Sequence, residues 1–224
     1  MINFIFMLTH SDSTIDDALE YVDVLSGTGL RYLGFKDVGA TPERQRSIAQ
    51  AAHDAGFETM LEVVATSLEA EVASVHAALA AGVDWVLGGT NPDAVLPLLE
   101  GSSVRYCPFP GRVVGHPSVL EGSIEEIAAS AASLTSTPGV FGLDLLAYRH
   151  ATADIAELTR HVVASSRGPV IAAGSVVDDA QIATLASAGA WGFTIGSAIF
   201  DGRFPGGPDV SAQVRHVLEV AAVS

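Results

Sequence analysis

The chain has 224 residues and a formal net charge of −15. This charge argues against nucleic acids and anionic membranes as partners, because no wide basic surface can form. The single cysteine, Cys107, excludes an internal disulfide and favours a reducing, cytoplasmic location. The apolar segment Ile2–Leu8 is too short to span a membrane, so we interpret it as a first strand.

Apolar runs typical of strands alternate with helical periods along the whole chain. This alternation predicts a parallel α/β fold. Eight strand–helix units predict a closed (βα)8 TIM barrel that occupies residues 1–224 as a single domain. An open, doubly wound sheet is the alternative, although it rarely has such regular units in so short a chain. The predicted strands are Asn3–Thr9, Tyr32–Val38, Glu58–Ala65, Trp85–Gly89, Arg105–Phe109, Val140–Leu146, Pro169–Gly174 and Gly192–Gly196.

Several predicted helices have a recognisable start. Thr14 with Asp17, and Ser123 with Glu126, have the spacing of a capping box. The longest irregular stretch, Pro108–Gly122, follows the fifth strand. Barrels build their active sites from the loops at the carboxyl ends of the strands, so this stretch belongs to the functional end.

The fourth and eighth units repeat each other. Ala81–Thr90 aligns without gaps on Ala188–Ser197, and each copy ends a helix with Ala-Gly, crosses a strand and finishes in Gly-Thr or Gly-Ser. The two copies lie half a barrel apart, which supports the barrel interpretation.

Glycines after the last two strands predict a phosphate site. Gly174-Ser175 follows the seventh strand and Gly196-Ser197 follows the eighth. Glycine lets a ligand approach the backbone amides, and a helix N-terminus adds unpaired N–H groups with a partial positive charge. An acidic protein can therefore hold an anion without lysine or arginine. The alternative is that both glycines only permit tight turns.

The same residues resemble a known superfamily. Pro169–Val177, Gly189 and Gly196–Gly202 are similar to the ribulose-phosphate-binding barrels, and within them to the histidine-biosynthesis phosphoribosyl isomerase and N-acetylmannosamine-6-phosphate epimerase. Gly82–Thr90 resembles the second phosphate loop of the isomerase family. The resemblance covers roughly the last quarter of the chain and implies phosphate binding more firmly than it implies any reaction.

The chain departs from both families at acidic positions. The isomerase family has an aspartate at the end of its first strand, where this chain has Met7–His10. The epimerase family has an acidic residue near the seventh strand, where this chain has Ala172 and Ala173. The resemblance therefore does not imply the complete activity of either family for this chain.

Three charged residues are predicted to point into the barrel. Lys36 is the one lysine of the chain, and lysine can act as a point charge or form a Schiff base, which arginine cannot. Strand alternation turns Lys36, Glu62 and Asp144 inward as candidate catalytic residues. The alternative is a structural Lys36–Glu62 ion pair, with Asp144 satisfied by the backbone.

The rim offers further candidates. Gly89 and Thr90 could form a second phosphate site, and Arg112 and His116 in the long fifth loop could contact a distal part of the substrate. Polar residues in such loops are more often ordinary loop residues than catalysts, and we interpret the remaining ones in that way. They include His10, Asp12, Asp37, Tyr148, Arg149 and His150. No histidine–carboxylate spacing suggests zinc, so we predict no metal and no cofactor.

These features favour an isomerase or epimerase in carbohydrate metabolism that acts on a sugar phosphate or a related phosphorylated carbonyl compound. Lys36 would stabilise an enolate, and Glu62 or Asp144 would move the proton. One alternative is a Schiff-base aldolase that uses Lys36 as its nucleophile, and another is a non-catalytic barrel that binds a phosphorylated metabolite. The positive mean hydropathy is compatible with a homo-oligomer, although a barrel interior alone accounts for it.

Overall fold

A computed structural model describes residues 1–224 and contains eight parallel strands that form one sheet. All eight predicted strands are present, and most are shorter than predicted at their carboxyl ends. Their bounds are β1 Asn3–Met7, β2 Tyr32–Lys36, β3 Glu58–Val63, β4 Trp85–Gly88, β5 Arg105–Cys107, β6 Leu143–Leu145, β7 Val170–Ala172 and β8 Gly192–Ile195.

The sheet closes into a barrel. Its strand order is β6-β7-β8-β1-β2-β3-β4-β5, and backbone hydrogen bonds join the two remaining edges. The amide of Phe141 donates to Tyr106 O at 2.8 Å, and the amide of Asp144 donates to Pro108 O at 3.1 Å. The predicted (βα)8 TIM barrel is therefore confirmed.

Nine helices connect the strands and cover the barrel. Ser123 and Glu126 form the predicted capping box at the start of α5, and Pro42 occupies the first turn of α2, after the cap residue Thr41. None of the helices is both long and apolar enough to cross a membrane. The helices are α1 Ala18–Leu25, α2 Pro42–Asp54, α3 Leu68–Ala81, α4 Pro92–Leu99, α5 Ile124–Ser136, α6 Ile155–Ser165, α7 Asp179–Ser187, α8 Ser197–Phe200 and α9 Val210–Val223.

Two short antiparallel hairpins decorate the functional end. The first pairs Thr9–His10 with Ser13–Thr14, and the second pairs Arg112–Val114 with Val119–Glu121 inside the long fifth loop. The predicted capping box of Thr14 is wrong, because α1 begins only at Ala18. Thr14 Oγ1 instead accepts from Lys36 N at 2.8 Å and donates to Lys36 O at 2.9 Å, so the first hairpin is fixed to the end of β2.

The apolar side chains form two layers. Outward residues such as Leu33, Phe35 and Leu61 pack against the helices in the larger cluster. A smaller cluster fills the barrel interior, and burying apolar side chains of this size stabilises the fold by roughly 1.5–3 kcal/mol each. It packs the lumen below the charged residues at the carboxyl end and consists of Ile5, Met7, Tyr32, Met60, Trp85, Leu87, Cys107 and Ile171.

Candidate active site

A cavity of about 400 Å³ opens at the carboxyl ends of β1, β2, β3, β7 and β8. It lies above the interior apolar cluster, at the end where barrels place their reactive groups. Two of the three candidate catalytic residues and all four candidate phosphate-binding residues line it, namely Lys36, Glu62, Gly174, Ser175, Gly196 and Ser197. Positions from four strand ends thus meet around one space.

Lys36 is held between two carboxylates. The β2–β3 register places Lys36 opposite Glu62, and Lys36 Nζ lies 3.5 Å from Glu62 Oε2 and 2.5 Å from Asp12 Oδ1. The Lys36 side chain is only 5% exposed. The ion pair considered from the sequence exists, and it lies on the wall of the cavity.

Asp12 is a site residue that sequence reasoning treated as an ordinary loop residue. It sits in the first hairpin with a left-handed φ of 65°, and its Oδ1 and Oδ2 accept from Arg149 at 2.7 and 3.2 Å. Burial alone would raise the pKa of Asp12, but the hydrogen bonds and charges of Arg149 and Lys36 hold that pKa well below its ordinary value. Asp12 is therefore a fixed anion that neutralises part of two cations.

Arg149 connects three loops. It ends the short 3-10 helix after β6, pairs with Asp12 in the first loop, and donates to Ser118 O of the fifth loop at 3.3 Å. Gly174 makes room for it, because a Cβ at that position would come within 2.4 Å of Arg149 Nε. No sequence spacing signals this contact, since Arg149 and Asp12 are 137 positions apart.

Asp144 is buried on β6, outside the lining of the cavity. Its side chain is fully buried, and neither carboxyl oxygen has a hydrogen-bond partner in the protein. Burial, reinforced by the charge of Glu62, raises the pKa of Asp144 far above its ordinary value. The folded barrel therefore favours a protonated, neutral carboxyl at this position.

The loops after β7 and β8 present free backbone donors. The amides of Ser175, Val176, Ser197 and Ala198 donate to no acceptor of the protein. Ser175 adopts a left-handed φ of 61°, and all four of these residues line the cavity. The side chain of Arg203 lines the same cavity and adds a cation that the sequence did not single out.

The fourth loop is already occupied by a carboxylate. Glu71 is buried, and its oxygens accept from the amides of Thr90 at 3.1 Å and Asn91 at 3.0 Å, and from Asn91 Nδ2 at 2.7 Å. A Cβ at Gly89 would lie 2.4 Å from Glu71 Oε1. Two amides next to the expected second phosphate site, those of Thr90 and Asn91, thus bind a side chain of the protein, which does not favour a second phosphate there.

The two candidates in the fifth loop lie outside the cavity lining. Arg112 is exposed and forms an ion pair with Glu121 across its own hairpin. His116 reaches the rim, where its Nδ1 lies 3.8 Å from Asp12 Oδ2. The structure brings together no group of three or more side chains suited to a metal ion.

No family model matches the chain, and no curated protein matches it in sequence. The fold, by contrast, is shared with many solved structures. Orotidine 5'-phosphate decarboxylase from Pyrococcus horikoshii OT3 matches with a TM-score of 0.68 and 13% identity, over 98% of this chain and 99% of that chain.

Two further structures show the same likeness. Tryptophan synthase from M. tuberculosis, in its open form, has a TM-score of 0.69 and 18% identity, over 99% of this chain and 92% of that chain. The KDPGal structure has a TM-score of 0.65 and 18% identity, over 98% and 96% of the two chains. At these identities the likeness establishes the barrel fold alone.

Proposed function

We propose that this barrel is an isomerase or epimerase that moves a proton in a sugar phosphate or a related phosphorylated carbonyl compound. One observation carries the proposal: an ammonium group and a carboxylate, Lys36 and Glu62, share one cavity with the unpaired amides of two glycine-containing loops. A phosphate at those amides leaves the rest of a small substrate facing the charged pair.

Four observations support phosphate binding at the loops after β7 and β8. Unpaired amides suit an anion, phosphate sites recur at this pair of loops in the fold, and Arg203 adds a charge at the same end. The name of one structural neighbour, orotidine 5'-phosphate decarboxylase, also describes a phosphate monoester substrate. Binding the phosphate would fix the carbonyl end of the molecule and reduce the entropy cost of reaction.

Lys36 and Glu62 have different roles in the proposed reaction. In an isomerisation, Glu62 takes a proton from the hydroxyl-bearing carbon next to the carbonyl group and returns it to the former carbonyl carbon, while the proton of that hydroxyl group moves to the former carbonyl oxygen. In an epimerisation, water supplies the proton on the opposite face and Glu62 releases its own proton to solvent. The electron pair left behind moves to the carbonyl oxygen, and the Lys36 ammonium stabilises the resulting enolate. Asp12 lines the same cavity and keeps Lys36 in place.

Asp144 is a positioning residue in this proposal, because it does not line the cavity. A neutral carboxyl at Asp144 avoids a second negative charge that would act on Glu62. Glu62 can then remain the base that faces the substrate, so the structure favours Glu62 over Asp144 for the proton transfer considered from the sequence.

The aldolase alternative is not favoured. A Schiff base requires the lysine nitrogen to attack a carbonyl carbon, whereas Lys36 Nζ contacts carboxylates on two sides. Borohydride reduction in the presence of substrate separates the two reactions, since only an aldolase gains a permanent mass adduct on Lys36.

Proton exchange with solvent tests the proposal. The protein is incubated in deuterated water with a panel of aldose and ketose phosphates, and NMR follows loss of the proton next to the carbonyl group. We expect exchange with at least one compound, lowered about 10²–10³-fold by Lys36→Met and about 10²–10⁴-fold by Glu62→Gln.

Glu69→Gln serves as the matched control, because Glu69 is exposed on α3 and should leave exchange unchanged. Affinity for inorganic phosphate, measured by calorimetry, should persist in Lys36→Met. Exchange that survives in Lys36→Met would contradict the mechanism. Binding without any exchange across the panel would instead favour the non-catalytic barrel.

A further inference from the structure

A second cleft lies at the opposite end of the barrel from the candidate active site. It has a volume of about 480 Å³ and is bordered by the first residues of β2, β4 and β5, which are Tyr32, Trp85 and Arg105. We call it the basal cleft. It shares no lining residue with the cavity around Lys36, so the proposed reaction does not use it.

Aromatic rings form the walls of the basal cleft. Trp191 lies 5.4 Å from both Tyr32 and Trp85 between ring centroids, and Trp85 meets Phe141 edge-on at 5.1 Å. Phe141 is 44% exposed, although phenylalanine side chains are usually buried. Both tryptophans of the chain line this one cleft.

The basal cleft is positively charged in an otherwise acidic protein. Three of the eleven cationic lysine and arginine side chains line it, Arg31, Arg105 and Arg167, with Glu58 as the one acidic residue. Arg31 and Arg105 both pair with Glu58. Arg167 makes no ion pair, so its guanidinium is available to a ligand.

The guanidinium groups also lie against the rings. The Arg105 carbon Cζ is 4.8 Å from the centroid of the Trp85 ring, and the Arg31 Cζ is 5.0 Å from that of Tyr32. Such cation–π contacts hold flexible arginines in fixed positions. Tyr32 and Trp85 are buried beneath these guanidinium groups. A ligand would therefore meet the guanidinium groups together with the more exposed rings of Phe141 and Trp191.

We infer that the basal cleft is a second binding site, for a planar aromatic carboxylate. The rings of Phe141 and Trp191 and the stacked guanidinium groups suit a flat aromatic body. The guanidinium of Arg167, which has no ion-pair partner, suits a carboxylate, which it can bind through two parallel hydrogen bonds. Glu58 already forms ion pairs with Arg31 and Arg105. One negative charge on the ligand would therefore give Arg167 a partner as well.

The two tryptophans supply a specific reporter. Their indole N–H groups give the two side-chain indole signals in a ¹⁵N-correlation spectrum of the whole protein, and that of Trp85 donates to Glu58 Oε1 at 2.6 Å. The protein is titrated with benzoate, benzamide and benzamidine, which share one ring and differ in charge.

We expect benzoate to shift both indole signals saturably, benzamide to bind at least tenfold more weakly, and benzamidine to leave the signals unchanged. Arg167→Met should weaken benzoate at least tenfold. Arg160→Met is the matched control, because Arg160 is exposed on α6 and away from the basal cleft, and it should bind benzoate like the unmodified protein.

Three outcomes would overturn the inference. The first is the absence of saturable shifts with benzoate. The second is equal binding of the three probes, or unchanged binding in Arg167→Met, which would indicate an apolar hollow without charge recognition. The third is a shift of the indole signals with protein concentration alone, which would indicate that the basal cleft is a contact between copies of the chain.

Discussion

Asp144 illustrates how a single residue can make stability depend on pH. Its carboxyl group is fully buried without a hydrogen-bond partner, and burial together with the charge of Glu62 raises its pKa far above the ordinary value. The folded state therefore holds a proton that the unfolded chain releases near pH 4. The contribution of this proton to the free energy of unfolding is fully present below about pH 4. It is lost as the pH rises towards the pKa of Asp144 in the folded state.

Replacing Asp144 with asparagine should remove this dependence, because an amide of nearly the same shape does not titrate. We expect urea unfolding between pH 4 and pH 7 to show that Asp144→Asn becomes progressively more stable than the unmodified protein. The difference should grow by up to about 1.4 kcal/mol per pH unit.

The matched control for this measurement is Asp23→Asn, since Asp23 is exposed on α1. Its stability should follow that of the unmodified protein across the same range. If Asp144→Asn also follows the unmodified protein, the buried carboxyl is not held in its neutral form.

Among the structural elements, the fourth and eighth units repeat each other in sequence, but the loops that follow their strands differ in whether their amides are already bound. After β8 the amides of Ser197 and Ala198 are unpaired, whereas after β4 the amides of Thr90 and Asn91 bind the buried carboxylate of Glu71. The chain thus supplies its own anion at one loop and leaves the other open. We infer that Glu71 stabilises the loop before α4 in the way that a bound anion would.

Glu71→Gln tests this role. A neutral amide loses the charge-assisted hydrogen bonds to the loop, so the free energy of unfolding should fall by about 1–3 kcal/mol in urea titrations. The exposed neighbour Glu69→Gln should change it by less than about 0.5 kcal/mol. Equal stabilities of the two variants would contradict a stabilising role for Glu71.

Most elements were predictable from the sequence because local patterns determine them. Apolar runs locate the eight strands, alternation turns Lys36 and Glu62 inward, and Ser123 with Glu126 starts α5 as expected. Thr14 was misassigned because its hydrogen bonds go to the distant backbone of Lys36, and a long-range bond has no local sequence pattern.

At the scale of the whole molecule, barrel closure assembles the site from residues that are far apart in the chain. Asp12 and Arg149 lie 137 positions apart and still form two hydrogen bonds across the rim. Their pairing, the place of Arg203 on the cavity wall and the filling of the fourth loop by Glu71 depend on tertiary contacts. The sequence alone could therefore predict the strand residues of the site but not the loop residues that complete it.

We propose that the loops after β7 and β8 hold a phosphate while Lys36 meets the reacting end of the substrate. A crystal structure with 2-phosphoglycolate tests it most directly, because this compound joins a phosphate to a carboxylate that imitates an enolate. We predict the phosphate on the amides of Ser175, Val176, Ser197 and Ala198, and the carboxylate within hydrogen-bond distance of Lys36 Nζ. A phosphate bound elsewhere, or a carboxylate turned away from Lys36, would contradict the account.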